Sequence, residues 1–230
     1  MHVWLSVKSM VSPEPGRSSS SPSVKITELK REGTDGSVLR VHLEDGSLFL
    51  LDDSLSAAKK LFVGMSLDNE LLENLESASE LFNCRRKALS LLDRAEQCRQ
   101  GLSVKLLKKG YSRKAVSESL DKLSEAGLLD DRRFAESWVR SRLRSRPEGP
   151  SRLRGALMSK GIASAVARDA VESVLEEIGD EESEGALERA WEKLSRRSGI
   201  SEDKLINALV RRGFQFGKIR TLIRKKENKG

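Results

Sequence analysis

The chain has 230 residues with 42 Lys and Arg against 35 Asp and Glu, a formal charge of +7 and a pI near 9.5. That length can bury a sizeable core, and the charge excess directs attention to a polyanion or an acidic protein surface as partner. The two cysteines, Cys84 and Cys98, form no CxxC and make no metal-type spacing with His2 and His42, so reduced thiols and no metal or other cofactor are expected. No apolar run reaches the roughly 18 residues of a membrane span, and the HVWLSV start lacks the basic region of an export signal. The expectation is a cytoplasmic protein with no membrane contact. Charged residues make up 33% and aromatics 4%, a helix-rich composition.

In chain order, residues 1–23 end in PEPGRSSSSPS, too poor in apolar side chains to offset the entropy of ordering, and are expected to form a disordered tail. Met10 is an alternative start. From Val24 the pattern turns to period two in VKITELKR, SVLRVHL and SLFLL, separated by TDG at Thr34–Gly36 and EDG at Glu44–Gly46. The second of these carries a two-residue hairpin signal. A short helix is expected over Ser54–Phe62 and an acidic one from Asp68, so that residues 24–80 form a small antiparallel β-hairpin and helix module.

The remainder repeats. When Gly110, Gly161 and Gly213 are superposed, leucine stands eight residues before each (Leu102, Leu153, Leu205) and again four before (Leu106, Leu157, Leu209). A basic residue precedes each glycine (Lys109, Lys160, Arg212) and a bulky apolar one follows (Tyr111, Ile162, Phe214). Six and ten after come Val116 and Leu120, Ala167 and Val171, Ile219 and Ile223. Each unit reads as helix, helix, glycine cap, helix, over 82–128, 131–178 and 183–228. The expected fold is mainly α: tandem three-helix repeats in three units, stacked as an elongated curved array with a concave side.

The second unit concentrates charge. Between Asp131 and Arg168 stand ten Arg or Lys against three carboxylates, Asp131, Glu136 and Glu148. On the helix after Asp130 or Asp131, a good N-cap, Phe134, Ala135, Trp138, Val139 and Leu143 share one arc. Arg133, Arg140 and Arg144 fall opposite it. Arg142 falls inside the apolar arc and so lies off the cationic face; a buried, paired arginine is the first reading and a ligand contact the second. Gly149 and Pro150 stop one helix and open the next. A run of acids from Glu172 to Glu188 separates this basic unit from the basic stretch after Arg211, so the charge is segregated along the chain.

The segment GLLDDRRFAESWVRSRL followed by GPSRLRGALMSKGI resembles the signature of the RecX family, bacterial regulators of the RecA recombinase. Its tandem modules resemble the repeats here, and its longer members carry an N-terminal region like residues 24–80. Gln215 and Gly217 in the third unit, and Ala163 where Ser112 caps in the first, depart from the best helix-start chemistry. The resemblance implies a non-enzymatic monomer that lies in the groove of a RecA filament on single-stranded DNA, inhibits ATP hydrolysis, strand exchange and co-protease activity, and promotes filament disassembly or blocks growth. On that basis the binding candidates are Arg133, Arg140, Arg144, Arg152, Arg154 and Lys160. Lys108, Lys109, Arg211, Arg212, Lys218 and Arg220 are lesser candidates, for which a solvated surface is the simpler reading.

Two other readings compete. A free-standing DNA-binding protein, with the helix after Pro150 as reader, would need base-edge contacts and usually twofold symmetry. An enzyme would need carboxylates clustered with a lysine or histidine, and the chain has no Walker-type phosphate loop.

Overall fold

The computed structural model describes residues 23–33, 37–54, 58–196 and 200–227. The expected tail up to residue 22 and the Thr34–Gly36 turn lie outside them. The chain is mainly helical, with a small antiparallel sheet at its N-terminal end, and divides into two compact units within one helix, after Ser79.

The first unit is built on strands β1 (Val24–Glu32), β2 (Val38–Leu43), β3 (Leu48–Asp52) and β4 (Ser66–Leu67), in the order β3-β2-β1-β4 with every pair antiparallel. Alternation puts Leu39, Val41 and Leu43 on one face, where they are buried with Ile26, Leu51, Leu67 and Leu75 of α1 (Asn69–Leu92). A sheet this small needs such a helix over its apolar face. Leu43 N bonds Ser47 O at 3.0 Å and Gly46 N bonds Leu43 O at 3.1 Å, so Glu44–Gly46 is a three-residue loop closed by a glycine at φ +84°, not a two-residue turn. Of the Ser54–Phe62 helix, only a 3-10 turn at Ala58–Lys60 is present among the described residues. The chain after it is drawn to the sheet, because Gly64 N and Met65 O bond the backbone of Ile26 at 2.8 and 3.0 Å, and β4 then adds a strand the sequence had not suggested.

The second unit holds the rest of α1, then α2 (Arg99–Leu107), α3 (Arg113–Glu125), α4 (Asp131–Ser145), α5 (Pro150–Met158), α6 (Ser164–Ser195), α7 (Glu202–Arg211) and α8 (Phe216–Glu227). Gly179, at φ +74° and ψ 172°, breaks α6 into two helical segments. Three apolar cores follow, each fed by three successive helical stretches. Cys84, Ala88, Leu102, Leu106, Val116 and Leu120 form one. A second comprises Ala135, Val139, Leu143, Leu153, Leu157, Ala167 and Val171, and a third Leu187, Ala190, Leu205, Leu209, Ile219 and Leu222. The leucines eight and four residues before the glycines are buried in all three. Each glycine stands at positive φ, 93°, 88° and 85°, where L side chains are strained. After the second and third, Ile162 N returns to Leu157 O and Phe214 N to Leu209 O, the Schellman closure that turns the next apolar residue back onto the helix just ended.

These bundles join by one device used twice. At the start of α2, the Cys98 thiol donates to Lys160 O at 3.4 Å, the residue before Gly161. At the start of α5, Gly149 N donates to Arg212 O at 2.8 Å, the residue before Gly213. In both places the N-terminus of one middle helix meets the C-terminus of the next bundle's middle helix, so opposite ends of two helix dipoles face each other. The approach is close. A Cβ on Gly161 would lie 2.5 Å from Gln100 Cβ, one on Gly213 would lie 2.4 Å from Arg152 N, and one on Gly149 would lie 2.1 Å from Gly213 O.

Candidate functional site

Asp130 starts α4 as the sequence suggests, its carboxylate accepting from Arg132 N at 2.8 Å and Arg133 N at 3.1 Å. Asp131, one residue on, accepts instead from Arg99 N at 2.7 Å and so caps α2 of the preceding bundle. Ala135, Val139 and Leu143 are buried, and the arginines project from the rest of the helix surface.

The six principal candidates separate into distinct environments. Arg133 is turned back across the bundle junction: Nε donates to Glu96 at 2.6 Å, and the two Nη groups donate to Gly127 O and Leu128 O at 3.0 Å each, where α3 has just ended. It acts there as a cationic C-terminal cap, and the Glu96 hydrogen bond raises its already high pKa. Arg140 grips Glu177 of α6 through Nη2 at 2.6 Å and Nε at 3.1 Å, with Glu136 at 3.5 Å beyond. The same hydrogen bond holds the Glu177 carboxyl below its ordinary pKa. Arg144 is exposed; its one hydrogen bond among the described residues is to Arg140 O on its own helix, at 3.4 Å. Arg154 is half-buried with a long contact to Ser151 Oγ, 3.5 Å. Lys160 sits 5.6 Å from the centre of the Trp138 ring.

Arg152 joins a group the sequence did not bring together. Glu148 is 2% exposed, and three guanidiniums converge on it: Arg142 Nε on Oε2 at 3.0 Å, Arg146 Nε and Arg152 Nε on Oε1 at 3.6 and 3.7 Å. Arg142 also lies 5.5 Å from the Trp138 ring centre, which accounts for its place inside the apolar arc. The available signal was Glu148 itself, the one carboxylate between Glu136 and Arg168, set directly before Gly149–Pro150.

Among the lesser candidates, Lys108, Lys109 and Arg211 are exposed and form no ion pair among the described residues, whereas Arg212 is half-buried beside the Gly149–Gly213 contact. Lys218 pairs loosely with Asp180 at 3.5 Å, and Arg220 lies 5.5 Å from the Phe216 ring centre. Both cysteines are buried free thiols, and desolvation raises the pKa of Cys84. Among the described residues no group of three or more His, Cys, Asp or Glu could hold a metal ion, and no helix is long and apolar enough to cross a membrane.

Fold and surface define a class: a mainly helical protein of successive three-helix bundles whose polar chemistry is carried by arginine-rich surface. A family profile described as "RecX, second three-helix domain" matches residues 130–171. A relative named Regulatory protein RecX from Treponema pallidum (strain Nichols) is 37% identical over 133 residues, 58% of this chain and 79% of the relative. Another of that name, from Clostridium botulinum (strain Alaska E43 / Type E3), is 28% identical over 211 residues, 89% of this chain and 97% of the relative. A solved structure described as a crystal structure of regulatory protein RecX superposes with a TM-score of 0.70 at 22% identity, covering 86% of this chain and 97% of that one. RecX from Lactobacillus salivarius gives 0.55 at 27% identity, covering 64% and 97%. The chain belongs to the RecX family. Its relatives are named as regulatory proteins rather than as enzymes.

Proposed function

We propose that this chain regulates the RecA recombinase by lying in the groove of the RecA filament on single-stranded DNA, where it restrains ATP hydrolysis, strand exchange and co-protease activity by binding alone. The observation that carries the reading is a coincidence in one segment. Residues 130–171, matched by the family profile, are also where guanidiniums crowd onto the surface.

The three units, 82–128, 131–178 and 183–228, each offer two kinds of contact. Lys108 and Lys109, Arg144 with Arg152, Arg154 and Lys160, and Arg211 suit phosphates, which are bound without reading sequence. Three residues before each repeat glycine stands an exposed apolar side chain, Leu107, Met158 and Val210. One apolar contact per unit suits a partner that is itself a repeating array of protein subunits, as a RecA filament is. Arg133 and Arg140, held by Glu96 and Glu177, serve this surface by fixing the second unit's shape.

The test is titration of the full chain into a RecA assay of single-stranded-DNA-dependent ATP hydrolysis at two salt concentrations. Suppression that requires more protein at the higher salt is expected. ATP hydrolysis unaffected by a large molar excess at low salt would overturn the reading.

A further inference from the structure

We propose that Arg142, Arg146 and Arg152, gathered by Glu148, form a built binding site for the phosphodiester backbone of a single nucleic-acid strand. This deepens the nucleic-acid side of the reading above and rests on it. Three guanidiniums around one carboxylate leave an excess of two positive charges at one place. The carboxylate is sequestered from water, whereas the side chains of Arg146 and Arg152 are 57% and 56% exposed. The buried charge therefore serves as an anchor, and the outward parts of two guanidiniums are what solvent meets.

Orientation supports this. Nε is the atom of Arg146 and of Arg152 that approaches Glu148 most closely. Neither side chain makes a hydrogen bond of its own among the described residues, so the remaining donors of each planar fork stay available to an oxyanion. Arg142 is held more firmly, by its Glu148 hydrogen bond and by the Trp138 ring, and it fixes the inner wall of the site. Glu148 precedes Gly149, whose N–H is bonded to Arg212 O of the next bundle, so the anchor is tied to a bundle junction rather than to a free loop. Arg133 and Arg140 offer a contrast. Each is committed to an acid at 2.6 Å, and Arg133 to two carbonyls besides.

The experiment uses the full chain and a fluorescein-labelled oligothymidylate, with anisotropy followed over a series of salt concentrations. The Arg146→Ala/Arg152→Ala variant is expected to bind at least tenfold more weakly, and its log–log salt slope should be shallower by roughly 1.4, the value for two phosphates on a single strand. Arg146→Lys/Arg152→Lys keeps the charge opposite Glu148 and the helix content. It should retain the wild-type slope while losing several-fold in affinity, because an ammonium lacks the planar fork. Arg168→Ala, outside the cluster, should change neither. Alanine and wild-type isotherms that coincide, a lysine variant that binds as tightly as wild type, or a wild-type chain that does not bind the oligomer at low salt would each overturn the proposal. RecA ATP hydrolysis measured in parallel separates the two failures: wild type that still suppresses it leaves the regulatory reading standing without this site.

Discussion

The arginines of the second bundle differ in what they face, and that decides what each can do. Both Arg133 and Arg140 bond acids 37 residues away in the chain, Glu96 and Glu177. A helical wheel places them on one face but cannot supply such partners, and for that reason the sequence grouped them with Arg144. The Glu148 cluster depends in the same way on a burial that no local pattern announces. Glu148→Ala should destabilise the fold by about 2–3 kcal/mol in chemical denaturation. That is less than the loss for a fully buried pair, because the arginines left behind stay partly hydrated. Unchanged stability would show that the carboxylate anchors nothing. Glu177 adds a pH signature. Its folded pKa is depressed by the Arg140 hydrogen bond, so the stability it contributes is present above the ordinary glutamate value, about 4.3, and is lost as pH falls through the lower folded value. Melting curves of wild type and Glu177→Gln should therefore differ at neutral pH and converge in the acid range below that value. A constant offset across the range would contradict the pairing.

At the scale of elements, the glycines separate two demands that a sequence alone conflates. Gly110, Gly161 and Gly213 share the positive φ of a helix end, and their spacing made the three bundles legible because every bundle solves the same local problem. Only the latter two are also pressed against a neighbour; a Cβ on Gly110 meets nothing within 4 Å. Gly110→Ala should thus lose about 1 kcal/mol from backbone strain alone. Gly161→Ala and Gly213→Ala should lose about 1–3 kcal/mol more, from overlap at the junctions. Gly149 isolates the second demand, since its φ of −79° is open to any residue and only the 2.1 Å approach to Gly213 O excludes a side chain. Equal losses across the series in denaturant unfolding would mean that the close contacts carry no energy. Legibility failed where pairing is non-local. The sequence suggests a helix as far as Phe62 with Gly64 as its break, yet the backbone of Ile26 takes Gly64 N and Met65 O, and the strand Ser66–Leu67 follows.

For the whole molecule, the surface charge is sorted rather than spread. Acids between Glu172 and Glu188 are partly occupied by Arg140, Lys218, Arg189 and Lys225, while Arg144, Arg146, Arg152, Lys108, Lys109 and Arg211 keep donors free for a partner. Cations for phosphate and one apolar side chain per bundle suit a composite target, in which protein subunits and a nucleic-acid strand are met together. Neither component alone should then be bound as well as the two combined. The most direct measurement is the affinity of the full chain for preassembled RecA filaments on single-stranded DNA, set against its affinity for RecA alone and for the same DNA alone, at one fixed salt concentration. The filament should be bound at least tenfold more tightly than either component; equal affinity for filament and bare DNA would rule out a composite target.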